Sequence, residues 1–282
     1  MKTFLKRCRW GQMLLLRGDM VSEYADLYGE WQELEVVMFR DILRPQSNVI
    51  EVGAHIGMHS VPLSRIASRG QVICFEPQRI IHQILAANCA LNNCTNVHTE
   101  HMAVGDYNGE VDIPCSTYDE AWNYGSFSVV EGFNTEGQFK GEQWMEKVRV
   151  TRLDDHPLAA SLNALRLLKV DAEGMEVNVL DGAEELIRRH RPCLFVENNR
   201  AETGDLLIQK IESLGYDSYW FCSKRFSPHN FNGETKVVEG GDYNMVCFPR
   251  EGRVDPGSLI RVKEFADLAN GRVSYLSLDK PG

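Results

Sequence analysis

No apolar run in the chain approaches the roughly 20 residues a membrane-spanning helix needs, so no membrane insertion is expected. The opening MKTFLKRCRWGQMLLLRGDM carries basic residues, but its apolar stretch, Met13 to Leu16, is very short and runs into Arg17. No small-residue cleavage site follows, so export is not expected either. The 8 cysteines include no CxxC pair. Cys89, Cys94 and His98 lack the spacing of a zinc knuckle, and Cys89 lies in a helical pattern. Cys74 in QVICF and Cys193 in PCLFV sit in strand-like apolar runs, as buried, reduced cysteines of a cytoplasmic protein would. Basic charge is also short: 30 Lys and Arg face 40 Asp and Glu, for a net charge of −10. Such a surface repels phosphate backbones and gives no support for docking on anionic lipid. Nucleic acid is therefore not an expected partner. Internal repeats and low-complexity tracts are absent, and no sequence feature sets an oligomeric state.

What is present is a regular alternation. The 282 residues, 43% hydrophobic, can bury a sizeable core. Short β-rich runs at 48–52, 71–76, 96–104, 164–171, 192–197, 216–222 and 243–248 read as strands. Between them, 57–68, 78–92, 175–189 and 203–214 carry helical spacing. Strands alternating with helices of this length predict βαβ units, a mostly parallel sheet and right-handed crossovers. The last strand follows its predecessor with no obvious helix between, so it can run antiparallel. The expected division is a helical lead-in over 1–44, an α/β domain over 45–250 and a tail over 251–282, a short helix or a mobile end. Trp31, Leu34, Val37 and Phe39 are core candidates in the lead-in. An excursion at 105–152, rich in Gly, Asn, Ser and Tyr, is expected to form a lid with a hairpin around Asp106–Gly109.

The sharpest local signal is Glu51-Val52-Gly53-Ala54-His55-Ile56-Gly57, directly after the first strand of the alternation. In open α/β sheets, ligands bind outside the carboxyl ends of strands where the strand order reverses. Gly53 and Gly57 permit a tight turn and close approach of backbone to ligand. About 20 residues further on, the next strand ends in Glu76, where a carboxylate can accept hydrogen bonds from ribose hydroxyls. A dinucleotide and S-adenosylmethionine both use this arrangement. The dinucleotide pattern needs glycines where this chain has His55 and Met58, and an imidazole obstructs a pyrophosphate. S-adenosylmethionine carries no phosphate and is the expected cofactor. A glycine turn with no ligand is the remaining reading. Glu76-Pro77 and Asp171-Ala172-Glu173-Gly174 strengthen the signal.

These residues resemble the FkbM family of S-adenosylmethionine methyltransferases, from about Gly29 to Arg250. The resemblance lies in GEWQELE (29–35), VIEVGAHIGMHS, FEPQ (75–78), NYGSFS (123–128), LLKVDAEGMEVNVLDGA (167–183), RPCLFVENNR (191–200) and GYDSYWF…HNFNG…NMVCFPR. It implies a Rossmann-like class I fold, with a seven-stranded, mostly parallel sheet and helices on both faces. It implies methyl transfer, usually to a hydroxyl oxygen of a sugar, glycan end or polyketide-type natural product. Glu51, Gly53, Ala54, His55 and Gly57 would then surround the methionine part of the cofactor, and Glu76 with Pro77 its ribose. Ala103, Val104 and Asp106 would sit near the adenine, and Glu30, ahead of the first strand, joins the cofactor set. The sequence departs from the family pattern at His55, where many members have Asn, and at Asn199, where Asp is expected. Phe221 follows Tyr219-Trp220 where relatives often carry His.

Methyl transfer from a sulfonium requires an aligned acceptor, excluded water and a base for an aliphatic hydroxyl. Asp171 and Glu173 past the fourth strand, and Glu197 and Asn198 past the fifth, are the catalytic candidates. Asp171 could instead cap a helix, Glu197 could pair with Arg200, and Glu176 suits a helix first turn. Oxygen ligands at Asp171, Glu197 and Asn198 suit Mg²⁺, but carboxylate base catalysis needs no metal and none is assigned. His55 is expected to shape its loop, His59 and His82 to be ordinary helix residues, and His229 to act as base or acceptor contact. In the excursion, Trp122, Asn123, Tyr124 and Ser126, with Tyr118 and Phe127, suit a polyhydroxylated acceptor. A lid packed on itself is the plainer alternative. N-methylation of a small amine and a non-catalytic binding module are the rival functions. The Asn/Asp-Pro-Pro-Tyr/Phe tetrapeptide of amino-methylating enzymes is absent.

Overall fold

The computed structural model describes residues 1–252 and 254–276. The chain opens on an antiparallel hairpin, β1 (Thr3–Cys8) and β2 (Gly11–Leu16), paired from Thr3–Leu16 to Cys8–Gly11. Two helices follow, α1 (Met20–Tyr28) and α2 (Glu33–Ile42). Asp19 caps α1 by accepting from the Ser22 N–H, and Gly29, at φ 72°, closes it in the left-handed conformation that glycine favours. The lead-in therefore differs from the all-helical expectation. In β2, buried and exposed residues alternate over Gly11–Leu14, a period of two that a helix cannot present to one core. Phe39 is fully buried, whereas Trp31, Leu34 and Val37 are half-buried and Val36 takes the core position.

The α/β alternation then runs β3 (Val49–Val52), α3 (Ser60–Ile66), β4 (Val72–Phe75), α4 (Arg79–Leu91) and β5 (Val97–Glu100). The excursion contributes β6 (Ala103–Val104), β7 (Gly109–Ser116) and β8 (Gln143–Thr151). After α5 (Pro157–Ala160) come β9 (Leu167–Val170), α6 (Glu176–Asp181), α7 (Glu184–His190), β10 (Cys193–Glu197) and α8 (Ala201–Ser213). The chain closes with β11 (Tyr216–Lys224), β12 (Gly241–Pro249), β13 (Ile260–Arg261) and α9 (Ala266–Ala269).

The main sheet has the order β13-β11-β12-β10-β9-β3-β4-β5. Strands β5, β4, β3, β9 and β10 are mutually parallel, and β12 runs antiparallel between β10 and β11. These are the seven expected strands, to which the tail adds the two-residue edge β13. Every residue of β3, β4, β9 and β10 is buried, because helices cover both faces of a parallel sheet. One apolar core, with Leu16, Phe39 and Ile84, lies on one face; another, with Leu180, Ile208 and Trp220, lies on the other. Two charged residues interrupt the buried strands as cross-strand partners, Glu51 on β3 and Lys169 on β9. The strand order reverses between β3 and β9, which opens a crevice at their carboxyl ends.

The excursion forms a separate sheet in the order β6-β8-β7. The expected hairpin around Asp106–Gly109 does not close, since β8 lies between β6 and β7. The strand read over 96–104 accordingly divides into β5 in the main sheet and β6 in the small one. The loop from Thr117 to Glu142 packs around Tyr118, Tyr124, Phe127, Phe133 and Phe139. The tail packs on the body as far as Leu276, whose N–H donates to the Cys222 carbonyl. Its last residues, 277–282, lie outside the described residues. All eight cysteines are free and buried. Among the described residues, no helix is long and apolar enough to cross a membrane.

Candidate active site

The crevice is built on the turn after β3. Gly53 has φ 77°, and a Cβ there would fall 1.7 Å from the Asp171 carbonyl oxygen. No side chain fits, so the turn lies directly against the end of β9. His55 is also left-handed, at φ 48°, and its N–H donates to Glu76 Oε2 at 3.0 Å. The same carboxylate accepts from the Gln78 N–H at 2.8 Å. Burial pushes Glu76 up to about 7 despite these donors. Gln78 ties this strand end to the lid, since its amide donates to the Tyr124 carbonyl and its oxygen accepts from the Tyr118 hydroxyl.

Behind the turn stands a buried charge cluster. Lys169 donates to Asp171 Oδ2 at 3.2 Å. Burial opposes its charge, but Asp171, Glu51 and Glu35 outweigh burial and hold its pKa above the ordinary lysine value. Glu51 accepts from Ser60 Oγ at 2.6 Å, and Glu35 accepts from Asn244 Nδ2 at 3.0 Å. Burial raises both carboxyls, Glu35 to about 8.

Beside this cluster, carboxylate oxygens of Asp171, Glu173 and Glu197 lie within 4.8 Å of one another. Glu173, at φ 48°, accepts from Arg200 Nη2 at 3.4 Å, and the same guanidinium reaches the lid at Glu131. Glu197 Oε2 is buried with no hydrogen-bond partner among the described residues. Burial first, then the Asp171 charge, pushes Glu173 and Glu197 well above the ordinary carboxyl range. Groups so placed favour their protonated form more than an ordinary carboxyl does and are suited to taking up a proton. Glu176 has a different job: it accepts from the Ala172 and Gly174 N–H groups and fixes the turn that carries Glu173.

One cleft joins these parts. Its floor is the glycine turn and the ends of β4, β9 and β10; its walls include Met20 and Val21 of α1, and Asn123, Gly125 and Phe127 of the lid. Residues 51–218 match the methyltransferase FkbM domain. The chain belongs to the FkbM methyltransferase family. It is 25% identical over 179 residues to the 2-O-methyltransferase NoeI of Sinorhizobium fredii, covering 61% of this chain and 72% of that one. It is also 25% identical over 197 residues to the methyltransferase sdnD of Sordaria araneosa, covering 61% of this chain and 76% of that protein. Among solved structures, the FkbM methyltransferase of Methylobacillus flagellatus KT aligns with TM-score 0.45 at 18% identity. That alignment covers 73% of this chain and 44% of the other, so this chain spans under half of that protein.

Of the residues singled out in the sequence, this FkbM domain brings Glu51, Gly53, Ala54, His55, Glu76, Pro77, Ala103, Val104, Asn123, Asp171, Glu173 and Glu197 to the cleft. Others do not line it. Gly57, at φ 86°, turns the chain toward Leu85 behind the loop. Asp106 is exposed beyond β6, where its carbonyl accepts from Arg152. Glu30 is buried against Arg9 and the Phe231 N–H. Asn198 turns away from its neighbour Glu197, its amide donating to the Gly204 carbonyl and to Met245 Sδ. His229 is held at the periphery, with its N–H on Ser227 Oγ and its carbonyl accepting from Arg9.

In the lid, Tyr124 is fully buried with its hydroxyl on the Glu120 carbonyl, Ser126 bonds Asn123 and Thr135, and Trp122 stacks edge-on to Phe139. The lid's aromatics thus pack on themselves, and only Asn123 of the four acceptor candidates reaches the cleft. His55 shapes its loop through its backbone, while its ring lies 3.6 Å from Asp19 Oδ1 with neither nitrogen hydrogen-bonded among the described residues.

Sequence reading missed Lys169, Glu35, Trp31, Gln32, Arg225, Asp242 and Asn244, all of which line the cleft. Lys169 had a legible signal, a lone charge inside the apolar run LLKV, since a buried charge demands partners. The others come from the start of α2 and the turn before it, and from β12 and the residue after β11, whose side chains no local chemistry links to the glycine turn.

Proposed function

We propose that this methyltransferase transfers a methyl group from S-adenosylmethionine to a hydroxyl oxygen of a sugar, glycan or natural-product acceptor. The observation that carries the reading is Glu197, a buried carboxyl with an unpartnered oxygen, beside Asp171 and Glu173 on the cleft. The donor supplies an electrophilic methyl on its sulfonium. The residues present fit that donor: the side-chain-free Gly53 leaves room for close backbone approach, Glu76 can accept from ribose hydroxyls, and Ala103 and Val104 offer an apolar wall for the base. Glu197 in its ionised form takes the acceptor's hydroxyl proton as the new C–O bond forms and the S–C bond breaks. The lid and α1 limit water at that point. A small-molecule or glycan acceptor agrees with the net charge of −10, which disfavours nucleic acid. NoeI, a 2-O-methyltransferase by name, supports an oxygen acceptor. The free, buried cysteines support a cytoplasmic location.

The test supplies methyl-labelled donor with a panel of polyols, glycosides and amines, and titrates S-adenosylhomocysteine by calorimetry. The reading expects label in hydroxylated acceptors, and a kcat for Glu197→Gln lowered about 100-fold or more with donor affinity kept. Label in amines alone, or no S-adenosylhomocysteine binding, overturns it.

A further inference from the structure

The three carboxylates of the cleft stand in an arrangement that proton transfer alone does not require. One oxygen from each of Asp171, Glu173 and Glu197 lies within 4.8 Å of the other two. Like charges this close repel strongly in a buried site. Two cations stand nearby, but neither serves the group as a whole. Lys169 holds Asp171 at 3.2 Å and is shared with Glu51 and Glu35. Arg200 touches Glu173 at 3.4 Å and spends its better bond, 2.9 Å, on Glu131 of the lid. Glu197 is 8% exposed and has no salt bridge among the described residues; its Oε2 is fully buried with no donor at all. A buried carboxylate that stands within 4.8 Å of two others and keeps an oxygen with nothing to bind is an independent sign that a ligand is missing.

We propose that Asp171, Glu173 and Glu197 bind a hard divalent cation, of the Mg²⁺ or Mn²⁺ class, at the cleft end of β9 and β10. Hard divalent cations take oxygen ligands and suit an all-carboxylate set. Oxygens around Mg²⁺ at 2.0–2.1 Å stand about 3 Å apart when adjacent and about 4.2 Å when opposite, so the three groups need to close by under about 2 Å. Three protein ligands leave positions open toward the cleft for water or for the acceptor. The cation's role there rests on the O-methyl-transfer reading: a coordinated hydroxyl ionises more readily, and its proton leaves to water or to a carboxylate oxygen not on the metal. Binding itself does not depend on that reading. The sulfonium is a rival positive charge, so binding is measured without donor.

Mn²⁺ is titrated into the full-length protein and free ion followed by electron paramagnetic resonance, with no donor or acceptor present. The proposal expects one Mn²⁺ per chain, displaced by excess Mg²⁺. Affinity falls at least about tenfold in Glu197→Gln and in Glu173→Gln, the loss seen even for groups that merely support a metal ligand, and is unchanged in Glu212→Gln on exposed α8 surface. Absence of wild-type binding, or binding untouched in both cleft variants, overturns it. If one variant misfolds, the other carries the test. S-adenosylhomocysteine affinity is measured on the same samples. Mn²⁺ bound without S-adenosylhomocysteine sinks the methyl-donor reading and leaves the cation site standing; S-adenosylhomocysteine bound without Mn²⁺ does the reverse.

Discussion

At the scale of single residues, the cleft is governed by carboxyl groups that burial shifts toward their protonated form. Glu76 is the clearest case. Burial raises it to about 7 although two backbone N–H groups already donate to it. Ribose hydroxyls are further donors, and donors favour the ionised form. If Glu76 accepts from the donor's ribose, as proposed above, donor binding expels a proton from the fraction of Glu76 that is protonated. Near pH 6.5 that fraction is large; at pH 8.5 it is small. S-adenosylhomocysteine affinity should rise as pH climbs from 6 to 8, with proton release falling over the same range. Calorimetry in buffers of different ionisation enthalpy reads both quantities, and Glu76→Gln should remove the proton release. Release that does not change with pH would show that Glu76 is already ionised in the free protein. The φ of 48° at His55 belongs to the same residue-scale logic, because it aims that N–H at Glu76.

At the scale of elements, the N-terminal hairpin is joined to the glycine turn through one side chain. Asn88 of α4 is fully buried. Its oxygen accepts from the Leu14 N–H at 2.6 Å, and its amide donates to the Leu14 carbonyl and to the Ile56 carbonyl. Ile56 lies inside the turn, so Asn88 links β2, α4 and the glycine turn. In Asn88→Leu these backbone groups are left buried and unpaired. The loss should be about 2–3 kcal/mol, or about 3–5 °C in Tm for a chain of this size, with S-adenosylhomocysteine binding weakened several-fold. Thermal denaturation and calorimetry check the pair of effects; an unchanged donor affinity would separate the hairpin from the site. Nothing near Asn88 announces this link, because it sits in an ordinary helical pattern and its partners are 32 and 74 residues away. The hairpin was missed for a related reason: β1 and β2 are short, and six residues of mixed polarity satisfy a helix about as well as a strand until a partner is known. The β3 turn was legible because its chemistry is local. Gly53 must be glycine given the carbonyl 1.7 Å from its would-be Cβ, and the Glu51–Gly57 run shows it directly.

At the scale of the whole molecule, the mostly parallel sheet was readable from alternation and its seven-stranded class from the family resemblance, while the polar interior beneath it was not. Glu35 on α2, Lys169 on β9 and Asn244 on β12 meet only when the helical lead-in folds over strands from both halves of the sheet. That interior should shape the stability of the entire domain against pH. Glu33 and Glu35 are raised by burial to about 7 and about 8, against an ordinary value of 4.5. Glu51 and Glu76 shift the same way. A folded state with raised carboxyls binds more protons than the unfolded chain, so unfolding free energy falls as pH rises through this range. His55, His59, His101, His156 and His190 are lowered from 6.5 and act oppositely, an effect that fades above about pH 7.5 as the unfolded-state imidazoles lose their protons. Lys169 is raised above its ordinary 10.5, so its contribution stays in place until far more alkaline solution. Between about pH 7.5 and 8.5 the carboxyls prevail, and Tm should fall across that interval in low-salt buffer. Glu35→Gln keeps the Asn244 contact through its remaining amide oxygen and removes one titrating group, so its Tm should fall less steeply. Scanning calorimetry of the two proteins over that interval decides it. Parallel slopes, or a wild-type Tm that climbs, would mean that Lys169 already keeps Glu35 ionised in the folded protein.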